Sequence, residues 1–254
     1  MVNRVLKKIR EIHIRLHQRF TPFATRYPGF LCRVVDKSSF LFMYDEIFNK
    51  EIYAFEASTQ EPYVIDCGAN IGLATIYLKK KFPNAEVVAF EPDPAIYSVL
   101  RSNIEGAGVV DGVALHQKCL AAQEGSVMFY PDGADGGSNI KNSEEQKKSV
   151  EVPAVTLDKY LNKKVDFLKI DIEGVEIEVL EQVQDKLPVV ERIFVEYHSF
   201  ANEQQKLEKL LSILTTAGFR YYIEHIGVTS SRPFVARDVH YGMDLQLNIY
   251  GYRD

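Results

Sequence analysis

The sequence predicts an α/β fold: a mostly parallel, seven-stranded mixed sheet with helices on both faces, plus an N-terminal extension of helix and short strands. Three stretches carry this prediction. A short apolar run at 63–65 reaches Asp66 and enters a glycine turn, and Leu73, Ala74, Ile76, Tyr77 and Leu78 then recur at helical spacing. A second apolar run, 87–90, ends in Glu91-Pro92-Asp93-Pro94 and is again followed by a helical pattern. A third, 165–170, ends in Asp171-Ile172-Glu173-Gly174. Strands that alternate with helices in this way build a parallel sheet, and its ligands gather at the carboxyl ends of the strands.

In chain order, residues 1–20 read as an amphipathic helix. Val2, Val5, Leu6, Ile9, Ile12, Leu16 and Phe20 recur at helical spacing, while Arg4, Lys7, Lys8, Arg10, Arg15 and Arg19 make the other side basic. Three roles stand open: a helix packed on the domain, a homo-oligomer contact, and a peripheral membrane contact. Thr21-Pro22 and Tyr27-Pro28-Gly29 break it. Stretches 30–35 and 39–44 read as short strands and 45–53 as a helix. The βα unit 63–82 and the strand 87–90 follow. Pro94 opens a helix with Ile96, Val99, Leu100 and Ile104 inward, ended by Gly106 and Gly108. The third strand is 113–117. Residues 126–130 and 150–155 alternate like hairpin strands around a glycine-rich polar loop. After the 165–170 strand come a helix at 176–187, a strand at 192–197 and a leucine-faced helix at 202–217. The runs 219–225 and 243–250 close the sheet as an antiparallel pair. This divides the chain into an extension, 1–55, and a main domain, 56–254.

The turn Asp66-Cys67-Gly68-Ala69-Asn70-Ile71-Gly72 is neither the G-x-G-x-x-G of dinucleotide folds nor a phosphate loop. Gly68 and Gly72 remove side chains where a ligand would approach the backbone. Asp66 suits a ligand with an ammonium group. Glu91, beside Pro92, can accept both hydroxyls of a ribose. Acids on adjacent strand tips together fit S-adenosylmethionine, with Gly68, Ala69, Asn70 and Gly72 lining the turn.

The motifs V-I-D-C-G-A-N-I-G, A-F-E-P and F-L-K-I-D-I-E-G, with Glu176, Val179 and Leu180, resemble the FkbM family of S-adenosylmethionine-dependent methyltransferases over roughly residues 45–225. The resemblance implies a Rossmann-like class I methyltransferase fold and O-methylation of sugars, glycans or secondary metabolites. It implies that the segment before the first strand covers the cofactor, which makes Glu51 and Tyr53 candidate contacts. Residues 119–122, Leu120 among them, would lie under the adenine. The loop beside the acceptor pocket would contain Ser138 and Asn139.

Composition narrows the partners. The net charge is −5 and the isoelectric point about 5.8, which argues against a nucleic-acid substrate. Cys32, Cys67 and Cys119 show neither metal spacing nor a disulfide framework, so a reduced, cytoplasmic setting is expected. No apolar run is long enough to span a bilayer, and the N-terminus lacks a signal-peptide core.

Methyl transfer to an alcohol needs a base, and an imidazole titrates in the right range. His198 is expected at a strand tip beside Asp171 and Glu173, as base or acceptor contact, with His240 and His225 as lesser candidates. Asp171, Glu173 and His198 can alternatively hold a divalent cation; the reading adopted needs no metal. Methylation of a carboxylate or a nitrogen, and a binding module without turnover, remain open alternatives. No [DN]-P-P-[YF] motif follows the Asp171 strand, which argues against nucleobase amines as acceptors.

Overall fold

A computed structural model describes residues 2–131, 149–227 and 230–253, with side chains from residue 8 onward. The chain begins with helix α1 (Val2–Leu16), strands β1 (Phe23–Thr25) and β2 (Cys32–Val34), and helix α2 (Lys37–Tyr44), which runs into a short π-helical turn, Asp45–Asn49. Then come β3 (Tyr63–Cys67), α3 (Leu73–Lys81), β4 (Glu86–Phe90), α4 (Pro94–Ala107), β5 (Val113–His116), β6 (Cys119–Leu120), β7 (Gly125–Phe129) and β8 (Val150–Val155). The chain ends with β9 (Phe167–Ile170), α5 (Glu176–Gln182), β10 (Arg192–Phe200), α6 (Leu207–Thr216), β11 (Arg220–Ile226) and β12 (Met243–Tyr252).

Seven strands form the central sheet in the order β11-β12-β10-β9-β3-β4-β5, and β12 alone is antiparallel to its neighbours. Successive side chains of a strand face opposite sides, so each strand feeds two cores. Ile65, Cys67, Leu168 and Ile170 pack with α5 and α6, whereas Val64, Val87 and Phe167 pack with α3 and α4. The second core also takes up the N-terminal residues Ile14, Tyr27, Phe30, Phe40, Tyr44 and Tyr53. Strands β6, β8 and β7 make a small separate sheet.

Register builds the functional edge. Cys67 lies level with Phe90 on one side and Ile170 on the other, and Val195 is level with Ile170. The next residue of each strand or loop, Gly68, Glu91, Asp171 and Glu196, therefore emerges at one edge. Strand β10 outlasts β9 and continues to Phe200, so His198 lies within the strand and not at its tip. That carries the His198 ring over the turn that follows β9.

Several local expectations are corrected. Residues 39–44 belong to helix α2, not a strand. Asp36 caps this helix by accepting hydrogen bonds from Ser38 N and Ser39 N, and a short apolar run cannot by itself distinguish strand from helix. The 45–53 segment contains one π turn and then leaves the helix. Gly106 stays inside α4, which ends at Ala107 with Gly108 as its cap, and a Cβ at Gly106 would lie 2.4 Å from the Leu31 carbonyl oxygen of the segment packed against it. The 176–187 helix stops at Gln182 and continues as a 3-10 turn, Gln184–Val189, with Pro188 inside.

The two turn glycines are also required by packing within the chain. At Gly68, with φ +85°, a Cβ would come within 1.8 Å of the Asp171 carbonyl oxygen. At Gly72, with φ +92°, it would meet Leu100 Cδ1 at 2.6 Å. Gly68→Ala therefore combines backbone strain with a clash against main chain. It should destabilise the fold by about 2–4 kcal/mol, read as a lowered denaturation midpoint with unchanged m-value.

Candidate active site

The site is built on a buried lysine. Lys169, within β9, is 3% exposed, and its ammonium donates to the Gly68 carbonyl at 2.7 Å. It lies 3.1 Å from Asp171 Oδ2 and 3.4 Å from Asp66 Oδ1. Burial opposes its charge, but Asp171 and Asp66 outweigh burial and hold it protonated well above the ordinary lysine range. Asp66 also accepts a 2.6 Å hydrogen bond from Thr75 Oγ1 and has no exposed surface. The expectation that Asp66 meets a ligand ammonium is therefore corrected. Its carboxylate points into the fold and holds Lys169 and α3, leaving Asp171 as the acid of this group that reaches the surface.

Glu91 stands where the sequence places it, at the end of β4. Its two oxygens accept from Asn70 N and Asp93 N, each at 2.9 Å. A carboxylate offers about four acceptor positions, so about two remain. Burial, reinforced by Asp93, pushes its pKa up to about 8. The turn beside it is fixed by Gly68 N and Ala69 N, both donating to the Phe90 carbonyl, and by Asn70 in a left-handed conformation. Pro92 leads directly to Asp93, which caps α4 by accepting from Ala95 N and Ile96 N.

The second half of the site surrounds His198. Its Nδ1 is 3.0 Å from Glu176 Oε1, and its Nε2 is 3.4 Å from Glu196 Oε1 and 3.6 Å from Glu173 Oε2. Glu176 Oε1 also accepts from Gly174 N and Ile172 N, so a single carboxylate holds both the imidazole and the turn that carries Glu173. Glu173 has φ +59°, an uncommon conformation for this residue type, in that turn. Burial opposes a charged His198, but Glu173 and Glu176 outweigh it and raise the imidazole well above its ordinary range. Burial raises Glu173 to about 8, with Asp171 and Glu196 adding to the effect and His198 opposing it. This direction and the carboxylates around both ring nitrogens favour the imidazolium, in which the ring donates to Glu176 and toward Glu196 and Glu173.

The other expected positions divide. Tyr53 is buried against Phe167 and Phe194, and the charges of Lys169 and Asp171 act on its hydroxyl. Glu51 is exposed and accepts from the Tyr77 hydroxyl at 3.2 Å, toward α3. Leu120 is buried in the main core and presents no surface to a ligand. His240 sits beside Met243 at the start of β12, close to the site but outside the His198 cluster, and His225 lies on edge strand β11. Ser138 and Asn139 fall outside the described residues. Sequence reasoning gave no role to Lys169, Glu176 or Glu196. A lysine inside a run of buried strand residues is the one signal that could have singled out Lys169.

Among the described residues, Asp66, Asp171, Glu173, Glu176 and Glu196 gather around Lys169 and His198, so acidic groups outnumber cationic ones here even with Glu173 protonated. A cationic ligand suits this edge, and Glu91 offers acceptors for hydroxyl groups beside it. The residues therefore fit S-adenosylmethionine, which carries a sulfonium, an ammonium and a ribose. Ligand atoms of Asp171, Glu196 and His198 also lie within 4.8 Å of one another, close enough to share a cation. Each already has a protein partner: Lys169, Gln246 and Glu176 respectively.

A family model, the methyltransferase FkbM domain, matches residues 66–221. The chain belongs to the FkbM methyltransferase family. Among its relatives is the methyltransferase sdnD of Sordaria araneosa, 29% identical over 70% of this chain and 82% of its own length. The 31-O-demethyl-FK506 methyltransferase FkbM of Streptomyces tacrolimicus is 26% identical over 72% of this chain and 83% of its own length. A crystal structure of an FkbM methyltransferase from Methylobacillus flagellatus superposes with a TM-score of 0.52 at 17% identity. That match covers 80% of this chain and 46% of the other, a likeness of fold.

Lys169→Met should leave the buried Asp66 and the half-buried Asp171 without their cation. The expected loss is about 3–5 kcal/mol, the scale of breaking a buried pair. Adding Asp66→Asn should recover part of it, and a double-mutant cycle by denaturant unfolding measures the coupling.

Proposed function

We propose that this chain is an S-adenosylmethionine-dependent O-methyltransferase acting on a hydroxyl of a sugar, glycan or secondary metabolite. Membership of the family and the named O-methylation by the Streptomyces relative support the reaction class. The observation that carries the mechanism is the Glu173–His198–Glu176 array at the edge shared with Asp171.

When bound, the cofactor supplies an electrophilic methyl on a sulfonium. Glu91 would accept the ribose hydroxyls, and Asp171 would face the ligand's positive charge. Gly68 to Gly72 would fix the turn between them. Glu173 is the group that takes the acceptor proton. A carboxylate whose pKa is raised toward the working pH is a stronger base than an ordinary one. His198, held as imidazolium by Glu176 and Glu196, orients Glu173 and balances the charge that it gains on releasing its own proton. Glu176 in turn fixes both. None of these roles requires a metal.

Calorimetry tests the cofactor. S-adenosylhomocysteine should bind and NAD should not, and Glu91→Ala should weaken binding about tenfold or more, as expected for lost hydrogen bonds to the ribose. Glu173→Gln should leave that binding within a few-fold of wild type and lower turnover by roughly 10²-fold or more, the scale of a lost general base. Glu173 acts only when deprotonated, so turnover should rise with pH through its pKa near 8. Bound positive charge should move that limb to lower pH, and Glu173→Gln should abolish it. His198→Asn should reduce turnover and shift the limb, because its positive charge pulls the Glu173 pKa down. Chelator should do little. Complete, metal-restorable loss would instead assign Asp171, Glu196 and His198 to a cation.

A further inference from the structure

Helix α1 packs in the opposite sense to its sequence pattern. At 3.6 residues per turn, Ile9, Ile12 and Leu16 fall within an arc of about 60°. They form the apolar stripe that a packed helix would bury. In the structure they are 56%, 60% and 78% exposed, while Ile14, on the far side of the helix, is fully buried. Lys8 and Arg15 flank the exposed stripe on one side. The first twenty residues carry a net charge of +5 in a chain whose total is −5.

The loop before β12 comes next to the segment that follows α1. Phe234, Val235, Val239 and Tyr241 are exposed there, among Arg232 and Arg237. Tyr241 engages the Arg19 guanidinium, which also binds Asp36 through two hydrogen bonds, so the loop and the end of α1 are neighbours. Phe20 and Tyr241 both have left-handed backbones, with φ +56° and +52°, an outlier conformation for bulky residues. Asp36 holds Phe20 in place by accepting from its N–H at 2.9 Å, and the exposed ring has the Arg19 guanidinium over it at 4.6 Å.

We propose that α1 and the 230–241 loop form a docking surface for an anionic lipid bilayer. A helix lying in the membrane interface buries an apolar stripe beneath the headgroups while flanking lysines and arginines meet anionic lipid. Aromatic residues favour that depth. Arg15 pairs with Glu11 and Arg19 with Asp36, but the first twenty residues still carry a net charge of +5, which favours an anionic surface over a second copy bearing the same charge. The surface borders the active site. Ala201 N donates to Gly242 O at 2.9 Å, and Met243 pairs with Phe200, two residues beyond His198. Docking requires nothing of the chemistry. Only its consequence, an acceptor delivered from the lipid surface, rests on the reading above.

Flotation of the whole protein with vesicles tests the docking. Phosphatidylcholine vesicles containing phosphatidylglycerol should carry the protein at least about tenfold more strongly than phosphatidylcholine alone, and added salt should weaken binding. Ile12→Asp with Leu16→Asp, and separately Phe234→Asp, should each lower binding about tenfold, since apolar burial is lost at the interface. Calorimetry with S-adenosylhomocysteine on the same variants should show unchanged affinity, which separates lost docking from lost folding or a wrong cofactor. Equal binding to neutral and anionic vesicles, or none to either, would overturn the proposal. Full binding by both variants, or a solution dimer that the α1 variant dissolves, would do the same.

Discussion

The ammonium of Lys169 is the constraint on which the ligand edge depends. A lysine inside a sheet is costly to bury, and this one is kept charged by two carboxylates and a backbone carbonyl. Each partner belongs to a different piece of the edge: Asp66 to β3, Gly68 to the turn and Asp171 to the end of β9. The same close approach puts the Asp171 carbonyl where a side chain at Gly68 would stand. Thr75 then ties Asp66 to α3. Strand, turn and helix are thus fixed by one charge, and the glycine is required by the packing that the charge imposes.

A second fixed point, Glu176, organises the acceptor side. It binds the His198 ring and two backbone N–H groups of the turn carrying Glu173. Both centres place acids close together in a poorly solvated setting, where like charges raise one another's proton affinity. The surplus at this edge favours positive ligands and a carboxylate base of raised pKa. An edge of the same shape with neutral residues would offer neither.

The N-terminal segment shows how one stretch serves inside and outside together. Tyr27, Phe30, Phe40 and Tyr44 complete the core over α3 and α4, and Tyr53 reaches the Lys169 pair. Asp36 joins these parts by capping α2, binding Arg19 and holding the Phe20 turn. Burial opposes its charge, yet those hydrogen bonds keep it ionised below the usual carboxylate range.

The sequence by itself determined the α/β class, the strand and helix order of the main domain and the acidic residues at the strand ends. These follow from local periodicity and from side chains next to each other in the chain. It also made Glu91, Asp171 and Glu173 visible, because each directly follows or lies within a motif. It did not determine which acids face a ligand. Asp66 and Asp171 look alike in the sequence and both reach Lys169, but Asp66 lies within β3, where Thr75 also holds it inward, and Asp171 lies just past the end of β9. Nor could it show that His198 is ringed by Glu173, Glu176 and Glu196, since Glu176 comes from a helix and β10 overshoots β9 by a distance no local pattern encodes. The protonation of that ring, and the outward stripe of α1, were decided by tertiary packing. Charge and exposure depend on what lies across space, and the sequence pattern carries only what lies along the chain.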